Sequence, residues 1–121
     1  EGRRVVNAYG PSENCVVSTF GELAANMQVA PIGRPLGGVS CYVFEPSRCR
    51  SLQPLGVPGE LCIGGVQLAW GYYGDAAKTE EKFVTNPLDE SRMYRSGDVV
   101  SWLPQGELHY IGRNDEMVKV R

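Results

Sequence analysis

Glycine and proline interrupt this chain so often that few stretches remain long enough for a helix of several turns. The sequence holds 15 Gly and 8 Pro among 121 residues, and these two types close or shortly follow its apolar runs. The fold class this implies is α+β but predominantly β: short strands and hairpins with one or two short helices. Strand-length runs stand at residues 39–44, 60–63, 99–103 and 108–111. Pro104-Gln105-Gly106 lies between the last two, with Pro to fix φ and Gly to take a left-handed conformation, so they should pair as a hairpin. A final strand is expected from Met117. Asp75 can cap a helix over residues 76–82, ending by Phe83 because Asn86-Pro87 forbids continuation. A second short helix is expected near residues 21–26, and residues 46–58 read as an exposed connection.

A chain of this length supports one core and no second one. Its 42% hydrophobic and 21% charged residues fall in the globular range. With 12 Lys+Arg against 14 Asp+Glu, it has no basic stripe to track a phosphate backbone, so no nucleic-acid partner is expected. The apolar stretches are only a few residues long, which supports neither a signal peptide nor membrane insertion and leaves a cytoplasmic location. The chain starts without methionine and stops at Val120-Arg121 in what reads as mid-strand, so both ends are expected to continue in a longer polypeptide.

Cys15, Cys41, Cys49 and Cys62 form no CxxC pair, so neither a zinc nor a redox spacing is present. Cys15, Cys41 and Cys62 sit among apolar neighbours and are expected to behave as small buried hydrophobes. The single His109 has no second histidine to share a metal and reads as a solvent-facing strand residue.

Three segments carry chemistry. Asn7-Ala8-Tyr9-Gly10-Pro11-Ser12-Glu13 packs an amide, an aromatic ring, a turn, a hydroxyl and a carboxylate into seven residues. Tyr9 suits stacking on a base, Ser12 suits donation to a phosphate or carboxylate oxygen, and Glu13 suits Mg²⁺ as a hard oxygen ligand. The same composition equally describes a polar turn with a helix N-cap at Ser12. Tyr94-Arg95-Ser96-Gly97-Asp98 places a carboxylate where it can accept from the vicinal hydroxyls of a ribose, or simply close a turn. Gly112-Arg113-Asn114-Asp115 follows the hairpin, and Arg113 suits a ribose or phosphate as well as a surface turn. The glycines at 56–59 and 64–65 lack the Gly-Lys-Ser/Thr of a phosphate-cradling loop.

Taken in order, these segments resemble the adenylation domain of nonribosomal peptide synthetases, within the superfamily of adenylate-forming enzymes. The resemblance runs through Asn7–Glu13, Pro31-Ile32-Gly33-Arg34-Pro35, the glycine-rich stretch from Gly59 to Tyr72 with Thr79 and Phe83, Tyr94–Asp98, and Gly112–Asp115 with Val118-Lys119. Ser12 replaces a Thr and keeps the hydroxyl. Gln67, Trp70 and Met117 stand where the family usually has Gly, Arg and Gln, and Trp70 trades a cation for an aromatic surface.

The resemblance implies a fold cut from the larger α/β adenylate-forming architecture, its strands belonging to a distorted β-barrel subdomain. Residues 1–115 would be the C-terminal portion of the large AMP-binding subdomain. Residues 116–121 would be the hinge and the start of a small C-terminal subdomain. It implies nucleotide contacts from Asn7, Tyr9, Gly10, Ser12, Asp98, Tyr110 and Arg113. Catalytic roles would fall to Ser12, Glu13 and Lys119, with Glu13 as the Mg²⁺ ligand. Ala8, Val16 and Val17 would line the amino-acid side-chain pocket, and all three are apolar, which favours a small or apolar side chain. Asp115 would be the hinge residue.

The implied reaction joins an amino-acid carboxylate to the α-phosphate of ATP, releases pyrophosphate and passes the acyl group to a phosphopantetheine thiol on a carrier domain. A condensation domain would be a further neighbour. Catalysis would rest on positioning and on charge neutralisation. The family's Ser/Thr/Gly-rich phosphate loop and its C-terminal catalytic lysine have no counterpart in these residues. The chain alone is therefore expected to be inactive, with an open sheet edge prone to association. The alternatives are an acyl-CoA or aryl-acid ligase and a degenerate, non-catalytic nucleotide-binding module.

Overall fold

A computed structural model describes residues 4–24, 27 and 30–115. They form two antiparallel sheets and one α-helix, the predominantly β arrangement that the glycine and proline spacing predicts. The first sheet has the order β1-β2-β3, with β1 Val5–Tyr9, β2 Thr19–Leu23 and β3 Arg34–Pro35. The second is built from β4 Val39–Phe44, β5 Gly59–Gly65, β6 Phe83–Thr85, β7 Arg92–Trp102 and β8 Leu108–Arg113.

β7 organises the second sheet. Its first part pairs with β6 on one side and β5 on the other, Tyr94 standing opposite both Phe83 and Ile63. Its second part exchanges β6 for β8, with Asp98 opposite Arg113 and Trp102 opposite Leu108. The exchange falls at Ser96-Gly97, where Gly97 takes φ +76° and the β5–β7 register shifts between Glu60 and Cys62. Such a bulge bends the strand and re-aims the side chains that follow it. Here the next residue is Asp98.

The hairpin predicted around Pro104-Gln105-Gly106 is present. Gly106 sits at φ +87° and its N–H reaches the Leu103 carbonyl at 3.0 Å, while Leu103 N–H reaches the Glu107 carbonyl at 2.8 Å. β7 nevertheless begins at Arg92, well before residue 99, because pairing with β5 and β6 extends it. The helix over Ala76–Lys82 is also as predicted, capped by the Asp75 carboxylate accepting from Lys78 N–H at 3.0 Å.

Five expectations are corrected. Residues 21–23 belong to β2 and not to a second helix, because Gly21 and Leu23 pair with Asn7 and Val5 of β1. Ser12 does not cap a helix. It opens a short 3-10 helix, Ser12–Asn14, whose N-cap is Pro11 with no side-chain cap bond. Cys15 is exposed, lying in a left-handed turn at φ 55° and not in a core strand. Within the connection from residue 46 to 58, Cys49 is buried, since the Glu45 carboxylate gathers the N–H groups of Ser47 and Arg48 at 3.0 and 2.9 Å and folds the loop back over β5. His109 is a strand residue, as expected, but is partly buried. The strand expected from Met117 lies outside the described residues.

The sheets meet at the segment around Ile32. Its N–H reaches the Leu108 carbonyl at 2.9 Å, and Leu108 N–H returns to the Gly33 carbonyl at 2.9 Å. Gly33, at φ +97°, lets Phe20 approach: a Cβ there would lie 2.0 Å from the Phe20 carbonyl oxygen. Ile32, Val39, Val43, Leu61, Ile63, Val100 and Leu108 form one core cluster. Phe44, Cys49, Cys62 and Met93 form another, so the single core expected from the chain's length is divided in two. At about 25 cal/mol per Å² of buried apolar surface, these clusters are the main force holding the strands in register.

Candidate nucleotide site

An open cleft of about 460 Å³ lies between the two sheets, lined by Asn7, Ala8, Tyr9, Asp98 and Tyr110 with Ala30 and Ile32. Three distant stretches therefore converge, one from β1, one from β7 and one from β8. β1 ends at Tyr9, so the first three of the seven residues from Asn7 to Glu13 are strand and not loop. The Asn7 amide donates to the Pro31 carbonyl at 3.0 Å, which fixes β1 against the segment leading to Ile32.

Asp98 is 8% exposed, and its carboxylate is held from both sides. One oxygen accepts from the Tyr9 hydroxyl and the other from Arg113 Nη1 at 2.9 Å. Arg113 Nη1 also reaches the Ser96 carbonyl at 2.7 Å. The Asp98 hydrogen bond raises the Arg113 guanidinium pKa, so it stays cationic. Burial, and then the bond to Asp98, push the Tyr9 hydroxyl well above the usual tyrosine range. It is a permanent donor at neutral pH. Tyr9 and Tyr110 stand with ring centroids 6.4 Å apart and planes tilted by 40°.

The turn that presents Asp98 is braced from below. Ser96 Oγ donates to the Leu61 carbonyl at 2.6 Å and accepts from Asp98 N–H at 3.0 Å. Gly97 N–H donates to Glu60 Oε2 at 3.1 Å. Glu60 is buried and paired with Arg95 Nη2 at 2.8 Å. Nothing local in the Gly59-Glu60-Leu61 stretch signals this role, because Arg95 and Gly97 lie 35 and 37 residues away.

Glu13 belongs to a second group. Its carboxylate accepts from the Tyr72 hydroxyl at 2.6 Å, and its carbonyl accepts from Ala69 N–H at 2.8 Å. Burial acts to raise the Glu13 pKa, but the Tyr72 bond, its own backbone N–H, Tyr94 and the Lys78 charge together outweigh it, and the carboxyl sits below its usual value. An ionised, half-buried carboxylate has the donor chemistry that Mg²⁺ requires. Tyr72 is placed by Thr79, whose hydroxyl accepts from Tyr72 N–H at 2.8 Å, and it packs edge-on against Phe83 at 5.6 Å.

The remaining expected site residues take other positions. Ser12 is exposed on the 3-10 helix and does not line the cleft. Gly10 faces the chain itself, since a Cβ there would lie 2.2 Å from the Val16 carbonyl oxygen. Of the three pocket candidates Ala8 lines the cleft, while Val16 is 72% exposed at φ 70° and Val17 is partly buried beside it. With its amide turned to donate, Gln67 reaches the Val17 and Asn14 carbonyls at 2.9 and 3.2 Å. The Trp70 side chain is fully exposed. Asp115 lies 3.7 Å from Arg113 Nε, and Lys119 is outside the described residues.

The family model described as AMP-binding enzyme matches residues 1–73. Tyrocidine synthase 3 of Brevibacillus parabrevis is 50% identical over 118 residues, covering 97% of this chain and 2% of that protein. Gramicidin S synthase 2 of Brevibacillus brevis is 47% identical over 120 residues, covering 95% of this chain and 3% of that protein. Among solved structures, PA1221, a nonribosomal peptide synthetase protein containing adenylation and PCP domains, superposes with a TM-score of 0.82 at 31% identity, over 91% of this chain and 23% of that one. FmoA3, a nonribosomal peptide synthetase solved with α-methyl-L-serine-AMP bound, superposes with a TM-score of 0.85 at 33% identity, over 93% of this chain and 13% of that one. The chain thus spans only a small share of the length of these relatives.

Proposed function

We infer, because the chain belongs to the AMP-binding enzyme family, that it supplies the ribose and adenine side of an amino-acid adenylation site in a nonribosomal peptide synthetase. One observation carries this reading: the cleft that unites Asn7, Tyr9, Asp98 and Tyr110, with Arg113 ion-paired to Asp98. An ionised carboxylate fixed at the edge of an open cleft is a two-oxygen acceptor for the vicinal hydroxyls of a ribose. Beside it, Tyr9 and Tyr110 offer aromatic surface to the base, and the Asn7 amide lies within the same wall.

Residues 1–115 would then be the C-terminal portion of the large AMP-binding subdomain, and residues 116–121 the hinge with the start of the small one. Asp115 would be the residue about which that small subdomain turns. In the reaction the amino-acid carboxylate attacks the α-phosphate of ATP and pyrophosphate leaves, giving an aminoacyl adenylate. A thiol of phosphopantetheine on a peptidyl carrier domain accepts the acyl group, and a condensation domain uses it. Glu13 would hold Mg²⁺, which when bound neutralises phosphate charge. The protein's own part is to bind and orient: Asp98 and Arg113 fix the sugar, the tyrosines fix the base, and Ser12 and Lys119 would approach the reacting phosphate. Of the pocket candidates Ala8 lines the cleft, and its small apolar side chain favours a small or apolar amino acid. Use of ATP as co-substrate fits a cytoplasmic enzyme, and among the described residues no helix is long and apolar enough to cross a membrane.

The test is ATP/pyrophosphate exchange by the intact synthetase against amino acids, aryl acids and fatty acids. Exchange driven by one amino acid is the expected result. Exchange only with aryl or fatty acids, or none with any acid, overturns the reading.

A further inference from the structure

Behind the turn that presents Asp98, two thiols far apart in the local spacing touch. Cys62 Sγ on β5 donates to Cys49 Sγ at 3.7 Å, and Cys49 Sγ donates to Glu60 Oε1 at 3.7 Å. Cys49 and Cys62 are both buried and both reduced. They are not equivalent. Cys62 is sealed inside the sheet, whereas Cys49 borders a cleft of about 280 Å³ that also reaches Arg48, Arg50 and Arg95. A small oxidant entering that cleft meets Cys49 first.

The same three side chains, Cys49, Glu60 and Cys62, lie close enough to hold a metal ion. The surroundings argue against that use. Both Glu60 oxygens are engaged, by Arg95 Nη2 at 2.8 Å, Arg95 Nε at 3.4 Å and Gly97 N–H at 3.1 Å. A guanidinium beside the ligand set repels a cation. What the pair retains is thiol chemistry.

We propose that Cys49 and Cys62 are a reversible dithiol–disulfide site, with Cys49 as the thiol attacked by a peroxide and Cys62 as the resolving thiol. The Cys49 sulfur attacks one peroxide oxygen and the O–O bond breaks, giving Cys49 sulfenic acid and water. The Cys62 sulfur then attacks the Cys49 sulfur and the S–O bond breaks. The departing hydroxyl takes the Cys62 proton as a second water, and the S–S bond forms. Two thiols are oxidised, one peroxide is reduced to two waters, and an added dithiol restores the starting state. Closing the sulfurs from 3.7 Å to a bond of about 2.05 Å needs a shift of the 45–51 loop toward β5, a small motion for a surface loop.

The experiment treats the intact synthetase, folded and without denaturant, with graded hydrogen peroxide, blocks remaining thiols and digests it without reduction. The expected product is one linked peptide pair joining Cys49 to Cys62, lighter than its unlinked sum by two hydrogen atoms and abolished by prior dithiothreitol. Cys41 stays alkylatable throughout, and Cys62→Ser converts the product to a sulfenic acid trapped on Cys49. Over-oxidation of Cys49 without a linked pair, or linkage of either cysteine to a different thiol, overturns the proposal. The wild-type digest decides the matter even if Cys62→Ser does not fold.

Discussion

Tyr9 donates its hydroxyl to the carboxylate of Asp98, 89 residues further along the chain. The bond ties the first sheet to the second across the mouth of the cleft, and it occupies an acceptor that a ribose would need. A nucleotide that claims Asp98 must displace it. Tyr9→Phe keeps the ring and removes the competitor, so AMP affinity in the intact synthetase, measured by calorimetry, should stay level or rise up to about tenfold. Stability should fall by about 1.5–3 kcal/mol, the ordinary worth of a hydrogen bond to a charged group. A large loss of AMP affinity would show that the hydroxyl itself holds the ligand.

Asp98 is asked to do more than Tyr9, since its two oxygens serve Arg113 and, in the proposed complex, the sugar. Asp98→Asn keeps the shape, removes the charge and turns half of the acceptor into a donor. Two charge-assisted hydrogen bonds are weakened at about 1.5 kcal/mol or more each, so ATP/pyrophosphate exchange should drop by roughly 100-fold or more. Wild-type exchange in this variant would remove Asp98 from the nucleotide site.

Glu60 supports that carboxylate from behind. It is 2% exposed and stands between Arg95 and the N–H of Gly97. Removing the carboxylate charge strands the partly buried Arg95 without its ion pair, at about 1–3 kcal/mol. Glu60→Gln should therefore lower the denaturant midpoint and slow exchange as well, through the displaced Asp98 turn. Adding Arg95→Met should recover part of the stability, because no unpaired charge is left behind. A double variant no more stable than the single one would show that the pair itself does not govern this turn.

The helix capped by Asp75, the hairpin from Asp98 to Arg113 and the strand at Val39–Phe44 were legible because each announces itself locally: a capping carboxylate, a Pro-Gln-Gly turn, a run of β-branched and aromatic residues. β2 was not. Gly21-Glu22-Leu23-Ala24 has helix formers around a weak strand residue, and only pairing with Val5–Tyr9 makes it a strand. The same limit hid the braces of the site. Asn7, Tyr9 and Asp98 stand out by residue type, but Tyr72 on Glu13 and Glu60 under Gly97 are contacts across 59 and 37 residues that no spacing encodes. Cys49 and Cys62, 13 apart, met because the Glu45 turn folds the intervening loop back.

The Glu13 carboxyl gives a pH test. Its folded pKa lies below 4.5, with Tyr72 as the main lowering partner against an opposing contribution from burial. A depressed carboxyl contributes stability that is present above its unfolded pKa and is lost as pH falls through the folded value. Tyr72→Phe removes that lowering bond, so the gap between wild type and variant should be full at neutral pH and close as pH falls from the unfolded value through the lower folded one. The acid-unfolding midpoint of the variant should move to higher pH. Parallel stability curves at all pH values would show that the hydroxyl does not act on this carboxylate.

Gly33 is the point where side-chain chemistry is least negotiable. Its φ of +97° is costly for any residue with a Cβ, and the added atom would sit 2.0 Å from both the Phe20 carbonyl carbon and its oxygen. That backbone cannot yield easily, because Phe20 pairs with Arg34 while the Gly33 carbonyl holds Leu108 N–H at 2.9 Å. Relief requires the two sheets to part exactly where they are joined, and with them the cleft between Tyr9 and Asp98. The left-handed conformation alone costs about 1–3 kcal/mol, and the overlap adds to it. Gly33→Ala should therefore expose this segment to limited proteolysis and abolish AMP binding together with it. Gly37→Ala, where a Cβ meets nothing within 4 Å, is the matched control and should leave both unchanged. Native-like protease resistance in Gly33→Ala would mean that the sheets are held together elsewhere.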